Sequence, residues 1–283
     1  MSRARIIVLT SLAMLAFAGN SLLCRIALKQ TSIDAASFTT LRLLSGALML
    51  ALLVRLNRRP SAGAGNWPSA LALFVYAAGF SFAYVRLSAA TGALLLFAAV
   101  QATMITYGVC KGERLRRLQL VGFVLALGGL VGLMLPGLAA PPLDSALLML
   151  GAGAAWGIYS LRGKGSGDPT AVTAGNFMRS VPIAAALSLL MLNQVSLDSA
   201  GLAYAVLSGA IASGIGYAIW YRVLPAMKAT HAATVQLSVP VIAALGGIVV
   251  LGESISVRSV LASTAILGGI ALVILERQAV KKL

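Results

Sequence analysis

The chain is built from apolar segments that are long enough to cross a lipid bilayer and that carry almost no charge. A hydrocarbon core of ~30 Å needs about 20 residues of α-helix, so each such segment predicts a transmembrane helix. The first, Ile6 to Cys24, is interpreted as an uncleaved helix rather than as a secretory signal. Because the segments lack the alternation of barrel strands, we expect an all-α membrane protein.

Ten transmembrane helices are predicted in this way. Two of the segments contain a single arginine each, Arg42 and Arg179, and the other eight contain no charged residue. The predicted spans are 6–24, 36–54, 60–85, 87–110, 118–143, 145–161, 170–192, 199–221, 229–252 and 259–275.

The composition agrees with a multi-pass membrane protein. Hydrophobic residues make up 59% of the chain and charged residues 10%, whereas soluble domains contain roughly 45–50% and about 25%. The net charge of +15 does not indicate a nucleic-acid partner, because the basic residues separate apolar segments instead of gathering on one aromatic-rich face. The two cysteines, Cys24 and Cys110, are expected at opposite membrane faces, too far apart for a disulfide.

The distribution of lysine and arginine predicts the orientation, since cytoplasmic loops carry an excess of both residues. With both termini in the cytoplasm, 16 of the 22 basic residues lie inside, two lie within spans and four lie outside. We therefore expect a protein of the inner (plasma) membrane with both termini cytoplasmic. The four outer residues are Arg25, Lys29, Arg86 and Arg258.

A Gly-Glu pair and a Gly-Gly pair each recur 140 residues later, which indicates an internal duplication. Five spans per copy is an odd number, so the two copies should face opposite ways, as in many secondary transporters. The predicted repeats are residues 1–138 and 139–283, divided in the proline- and glycine-rich stretch 135–143. The recurring pairs are Gly112-Glu113 with Gly252-Glu253, and Gly128-Gly129 with Gly268-Gly269.

Further residues extend these motifs: Leu251 and Leu267 precede the second-copy pairs, Pro240 lies within the ninth span, and Trp156-Gly157 lies within the sixth. Together they resemble the drug/metabolite transporter superfamily in its EamA-type branch, with the second copy as the better match. The resemblance implies a ten-helix exporter whose central cavity is lined by helices 1, 3, 4, 6, 8 and 9 and opens alternately to each side. Within the superfamily, the chain looks most similar to the aromatic amino acid exporters.

Aromatic and amide side chains at mid-depth of those helices are the candidate substrate contacts, because small-molecule sites are largely apolar with a few convergent polar groups. Trp156 stands out, since tryptophan otherwise favours the membrane interface. We expect Trp156, Tyr76 and Phe80 to contact an apolar side chain. The candidates for the polar ends are Asn20, Gln101 and Gln236, and the remaining candidates are Phe17, Phe97, Tyr159 and Tyr217.

The seven acidic residues all fall in loops or at span ends. Exporters of cationic drugs typically need a carboxylate inside the membrane, so its absence favours a neutral or zwitterionic substrate, with an aromatic or apolar amino acid as the first choice. We expect a transporter and no enzyme, no cofactor or metal, lipid and a small molecule as partners, and a monomer or homodimer. A multidrug, sugar-phosphate or nucleotide-sugar carrier is the alternative, and a non-transporting membrane scaffold is a distant one.

Three further sets of residues receive a structural interpretation. Glu113 and Glu253 should accept hydrogen bonds where helices 5 and 10 begin. Arg42 and Arg179 should snorkel or pair between helices, with binding of a substrate carboxylate as the other possibility. The glycines of spans 5 and 10 should form close-packing faces, and they are Gly128, Gly129, Gly132, Gly268 and Gly269.

Overall fold

The structure is a computed structural model that describes residues 2–57, 64–112, 116–135, 140–163, 168–227 and 235–280, the last five as helical backbone alone. The described residues form helices and contain no strand. The long helices are α1 (Arg3–Gln30), α2 (Ala35–Leu56), α3 (Trp67–Tyr84), α4 (Ala89–Cys110), α5 (Arg117–Met134), α6 (Leu143–Arg162), α7 (Pro169–Leu190), α8 (Ser199–Ala226), α9 (Ser238–Leu251) and α10 (Val257–Val280).

Each predicted span overlaps one of these helices, and the protein is an all-α, multi-pass membrane protein. Seven of them, α1 to α5, α8 and α10, are long and apolar enough to cross a membrane, and α9 is a shorter apolar helix. Ten membrane crossings therefore stay a prediction. Several boundaries differ from expectation: α1 continues to Gln30, so Arg25 and Lys29 are helical, α3 begins only at Trp67, and α5 ends at Met134.

Polar residues set where several helices begin. Asp34, Asn66, Ser88 and Asp168 each accept a hydrogen bond from a backbone N–H in the first turn of α2, α3, α4 and α7. Such N-caps satisfy donors that the helix itself leaves without a partner. Proline in the first turn of α3 and α7 fits the same position, where its missing N–H costs nothing.

The helix pairs reflect the duplication. If each helix is replaced by its counterpart five places along the chain, the principal contacting pairs map onto other contacting pairs. The pair α3–α6 maps onto α8–α1, α4–α6 maps onto α9–α1, and α3–α7 maps onto α8–α2. Three pairs map onto themselves under this replacement: α2–α7, α4–α9 and α5–α10. These three pairs therefore lie on the pseudo-twofold axis that relates the two repeats.

Contacts between connecting segments agree with helices that alternate in direction. Arg86 before α4 pairs with Asp144 at the start of α6, and Asp34 before α2 exchanges hydrogen bonds with Ser196 before α8. At the other end, Arg162 of α6 donates to Ser69 in the first turn of α3. We call the end of the bundle that contains Asp34 the outer end, and the end that contains Arg3 the inner end.

The middle of α8, Leu207–Ile215, is a π-helix, and glycine lets it approach α2 closely. A Cβ on Gly209 would collide with the Arg42 carbonyl oxygen and with Ser45 Oγ, both on α2. The same part of α2 is also close to α7, because a Cβ on Gly46 would lie 2.7 Å from the Phe177 ring. π-Helical turns are rare and frequently occur at functional sites. Here the turn presses α8 against the α2 segment that carries Arg42.

The predicted glycine faces of α5 and α10 are only partly correct. Gly129 packs against Ala265 and Ile266, and Gly269 packs against Gly122 and Ala126, so these two glycines do lie where α5 meets α10. The others point away from that interface, because a Cβ added to any of them would meet nothing within 4 Å. They are Gly128, Gly132 and Gly268.

Candidate functional site

Trp156 lies at the centre of a cluster of aromatic rings contributed by four helices. Its indole is stacked on Tyr159 and Tyr217, with centroids 5.3 and 5.2 Å away and interplanar angles of 25° and 17°. Tyr76 of α3 packs against a further side at 4.9 Å and in turn contacts Phe80. The rings of α3, α6 and α8 thus form one contiguous apolar surface.

Phe17 of α1 completes this aromatic cluster through α8, at 5.6 Å from Tyr217 and 6.0 Å from Trp220. Phe17 and Trp156 are half-buried, whereas Tyr76, Phe80 and Tyr217 are buried. The partly open rings are therefore those of α1 and α6, and they mark the side from which the cluster can be reached.

A polar network runs beside the rings. Ser208 in the π-helical turn donates to Asn20 Oδ1 over 2.6 Å, and Asn20 Nδ2 donates to the Tyr76 hydroxyl oxygen over 3.4 Å. The same hydroxyl oxygen accepts a hydrogen bond from the Arg42 guanidinium at 3.0 Å. Residues from α1, α2, α3 and α8 are joined in this way at the edge of the aromatic cluster.

Arg42 is one of the largest fully buried side chains, with only 2% of its surface exposed. Its Cζ lies 4.8 Å from the centre of the Phe80 ring and 5.3 Å from that of Tyr76, in the geometry of cation–π interactions. The remaining terminal nitrogen, Nη1, makes no hydrogen bond to the described part of the protein. Snorkelling is therefore wrong for Arg42, and pairing between helices is confirmed by the bond to Tyr76.

Arg179 of α7 has a different environment. Its guanidinium Nη1 donates to the backbone carbonyl oxygens of Ala64, at 2.7 Å, and of Gly175, at 2.9 Å. The guanidinium therefore joins the start of α7 to the segment that precedes α3. The two arginines have matching places in the sequence but different roles in the fold.

The outer end of the bundle is closed by a buried ion pair. Arg25 Nε lies 3.0 Å from Glu253 Oε1, and the two side chains are 10% and 7% exposed. Arg25 Nη1 also donates to the backbone carbonyl oxygens of Tyr84 and Val85, each at 2.9 Å. One guanidinium thus holds α1, the end of α3 and the turn after α9 together, and we call this group the outer clamp.

The position of Glu253 corrects one expectation. Its Oε2 accepts a hydrogen bond over 2.8 Å from the Ala89 N–H, so it caps the start of α4 rather than that of α10. Gly252, which precedes it, adopts φ +62° and turns the chain out of α9. Glutamate at a helix start is favoured by the helix dipole. The helix that Glu253 caps, α4, belongs to the first repeat, whereas Glu253 itself belongs to the second. Glu113 lies outside the described residues.

A cavity of about 850 Å³ opens at the inner end, among α1, α8 and α9. Its volume is within the ~300–1,000 Å³ that is usual for small-molecule sites. The α1 residues that line it reach from Arg3 to Leu15, so the cavity ends about half a turn before Phe17. The cavity thus lies at the inner end of the bundle, and the outer clamp lies at the opposite end.

Three predicted site residues do not join the cluster. Phe97 is buried in the core without a ring pair to the aromatic cluster among the described residues, and Gln236 is half-buried at the start of the described part of the ninth span. Gln101 faces a separate, largely apolar cavity of about 210 Å³ between α4, α5, α6 and α10. As far as the structure describes the chain, the cluster includes the expected helices α1, α3, α6 and α8, adds α2 through Arg42, and does not include α4 or α9.

The other seven predicted site residues do come together, and they are Phe17, Asn20, Tyr76, Phe80, Trp156, Tyr159 and Tyr217. Ser208, Phe177 and Trp220 adjoin them and were missed by sequence reasoning. Ser208 and Trp220 lie on the predicted eighth span, so alignment with Tyr217 on one helix was the available signal for them. Nothing in the sequence distinguished Phe177 from an ordinary packing residue.

Comparison with known proteins agrees with this architecture. The EamA-like transporter family matches residues 4–135 and 144–275. Over 274 residues and 96% of each chain, the protein is 62% identical to Uncharacterized protein PA1977 of Pseudomonas aeruginosa. It is 34% identical to the threonine/homoserine exporter RhtA of Salmonella typhimurium over 131 residues, which are 44% of this chain and 43% of that protein.

A protein crystal structure superposes with a TM-score of 0.68 at 20% identity, over 97% of this chain and 99% of that one, and this likeness concerns the fold alone. The family match occurs twice and covers nearly the whole chain, in agreement with the twofold helix pairing. Members of this family are transporters and not enzymes. The protein therefore belongs to the EamA-like transporter family.

Proposed function

We propose that this transporter exports small neutral or zwitterionic metabolites, with amino acids that bear aromatic or apolar side chains as the preferred class. The observation that carries the proposal is the aromatic cluster around Trp156, which has hydrogen-bonding side chains along one edge. Rings offer a large apolar surface to a side chain, and the adjoining polar groups suit a charged amino acid backbone. The local similarity to a threonine/homoserine exporter supports an amino acid as cargo.

Alternating access between two inverted repeats, residues 1–138 and 139–283, is the proposed mechanism. The open inner cavity and the closed outer clamp support it, because together they describe one of the two states that such a mechanism requires. In the other state the outer clamp separates and the inner cavity closes. Arg25 and Glu253 belong to different repeats, so their ion pair reports directly on the relative position of the two repeats.

The proposed setting is the inner membrane, with both termini in the cytoplasm and the inner cavity open to the cytoplasm. This orientation rests on the excess of basic residues at the inner end. In this orientation, an exporter would reach its cytoplasmic substrate through the inner cavity. We propose a monomer or a homodimer as the transporting unit, with lipid as its surroundings.

A sugar-phosphate or nucleotide-sugar carrier fits the site less well. Such a substrate carries at least two negative charges and calls for paired basic side chains in the cavity. Arg42 adjoins the cluster, but Arg179 is engaged with backbone carbonyl oxygens at the inner end. A multidrug carrier for cations is disfavoured by the buried positive charge of Arg42.

The proposal is tested by flux into liposomes that contain the purified protein. Labelled phenylalanine, tryptophan, methionine and threonine are compared with lysine and glutamate, with and without a pH gradient. We expect the aromatic and apolar amino acids to equilibrate several-fold faster than in protein-free liposomes, and lysine and glutamate to show no acceleration. Equal rates across the whole panel would contradict the proposed substrate class.

A further inference from the structure

We propose that Arg42 is the anchor for a substrate carboxylate, which restricts the cargo to molecules that carry one free carboxylate beside an apolar or small side chain. The inference rests on the proposed function and goes beyond it, because it names the substrate group and the residue that binds it. Three features of the Arg42 side chain support it: its missing counter-charge, its free hydrogen-bond donor and its place beside the rings.

The first feature is the absence of a counter-charge. A buried arginine is expensive unless an anion and hydrogen bonds compensate it, and within membrane spans such residues usually serve function. In the described part of the chain no carboxylate lies within ion-pair distance of Arg42. Glu253 is already paired with Arg25, and Asp34 accepts hydrogen bonds from three backbone N–H groups.

The second feature is the free donor. The guanidinium donates through Nη2 to the Tyr76 hydroxyl oxygen, while Nη1 is buried and has no partner among the described residues. Buried polar groups without partners are rare in folded proteins and call for an explanation. A carboxylate is the natural one, because the planar guanidinium matches its two oxygens and forms short, charge-assisted hydrogen bonds with them.

The third feature is the position of the guanidinium relative to the rings. It lies over Phe80 and Tyr76, and Tyr76 packs directly on Trp156. A molecule whose carboxylate meets Arg42 therefore places its side chain along the Tyr76–Trp156 surface. The cation–π contacts hold the charge in place before a substrate arrives, so little reorganisation is needed on binding.

Two matched pairs of probes test the anchor: L-phenylalanine against 2-phenylethylamine, and L-threonine against 1-amino-2-propanol. Each amine has the structure of the paired amino acid with the carboxylate removed. Binding of each probe to the full-length protein in detergent is measured by calorimetry. We expect each acid that binds to do so roughly tenfold or more tightly than its amine, as is usual for a charge-assisted hydrogen bond.

The Arg42→Gln variant should abolish this preference, and Arg42→Lys, which keeps the charge but loses the planar fork, should retain part of it. Arg179→Gln is the matched control, since that arginine contacts backbone and not the aromatic cluster. The control keeps the acid-to-amine ratio of the wild type even if it is less stable. Size-exclusion chromatography identifies the folded fraction of every variant.

The outcomes separate the anchor from the proposed function. Amines that bind the wild type as tightly as the acids, or a preference that survives Arg42→Gln, overturn the anchor even if phenylalanine is transported. An Arg42-dependent preference for threonine alone supports the anchor and contradicts the aromatic substrate class. Failure of all four probes to bind contradicts both.

Discussion

Arg25 of α1 and Glu253 after α9 form an ion pair of 3.0 Å that joins the two repeats at the outer end of the bundle. Both partners have further hydrogen bonds, Arg25 to the end of α3 and Glu253 to the start of α4. The pair is buried, so losing one partner leaves an uncompensated charge, at a cost of about 3–5 kcal/mol. In the proposed alternating access, the outer clamp separates when the outer end opens.

Glu253→Gln should open the outer end and expose Cys24, which precedes Arg25 on α1 and has 0% exposure. In a Cys110→Ser background, the rate of modification of Cys24 by an impermeant maleimide added outside should rise several-fold. Asp144→Asn is the control, because it removes the exposed pair with Arg86, and such pairs contribute about 0–1 kcal/mol. An unchanged rate in Glu253→Gln would show that the outer clamp does not close the outer end.

Exchanging the charges of the outer clamp should not restore it. In Arg25→Glu with Glu253→Arg, the new arginine would face the Ala89 N–H, a donor that needs an acceptor. The double variant should therefore label at Cys24 about as fast as Glu253→Gln alone. Recovery of the slow wild-type rate would mean that the charge pair alone closes the outer end and that the cap on α4 adds nothing.

Gly209→Ala should destabilise the protein, because the added Cβ collides with the α2 backbone at Arg42. Overpacking of this kind costs about 1–3 kcal/mol or more. Gly132→Ala is the matched control, since its Cβ meets nothing within 4 Å, and alanine is favoured over glycine in a helix by about 1 kcal/mol. Thermal unfolding in detergent should place Gly209→Ala below the wild type and Gly132→Ala at or above it. The reverse order would contradict the close contact of α2 with α8.

Tyr76→Phe should lower stability by about 1–3 kcal/mol, because it removes the acceptor of the Arg42 hydrogen bond while it keeps the ring on Trp156 and Phe80. Tyr107→Phe, at a half-exposed tyrosine, should change stability by less than about 0.5 kcal/mol. Denaturant unfolding of the two variants measures the difference. Equal stabilities would argue that the hydroxyl network contributes nothing to the fold.

The carboxyl group of Asp34, at the outer end, should make the stability of the protein depend on pH. Burial alone would raise the pKa of its carboxyl, but hydrogen bonds from Ser37, Ser196 and Ala36 outweigh burial and hold the pKa below the ordinary 3.8. A lowered pKa means that the ionised form stabilises the fold above pH 3.8 and that this contribution is lost as the pH falls through the folded-state value.

The variant Asp34→Asn isolates the charge, because asparagine caps helices about as well as aspartate. We expect its melting temperature to lie below that of the wild type at neutral pH. The gap should narrow as the pH is lowered from about 5 to about 3. A gap that does not depend on pH would contradict the role of the ionised carboxylate.

Sequence patterns predicted the helical architecture and much of the aromatic cluster. Uncharged segments are set by the bilayer itself, which leaves little choice of structure. Trp156 and Tyr217 were accessible to prediction because large aromatic residues at mid-depth are unusual and had to face protein or a cavity. Seven of the ten candidate residues therefore meet in space.

The failures concern how each helix is rotated about its axis. Gln101 faces α5 and α10 and not the aromatic cluster. Helices in lipid have apolar residues on every side, so the pattern does not show which face is inward. Arg42 and Glu253 were underrated for a related reason: their partners, Tyr76 and Arg25, are far away in sequence.

Uptake of labelled L-phenylalanine by liposomes tests whether the substrate passes over the aromatic cluster. Wild-type protein is compared with Trp156→Ala, and Trp67→Ala, at an exposed tryptophan in the first turn of α3, is the control. We expect Trp156→Ala to lower the initial rate roughly tenfold or more, because a central aromatic contact is lost, and Trp67→Ala to keep the wild-type rate. Wild-type uptake by a folded Trp156→Ala protein would contradict it.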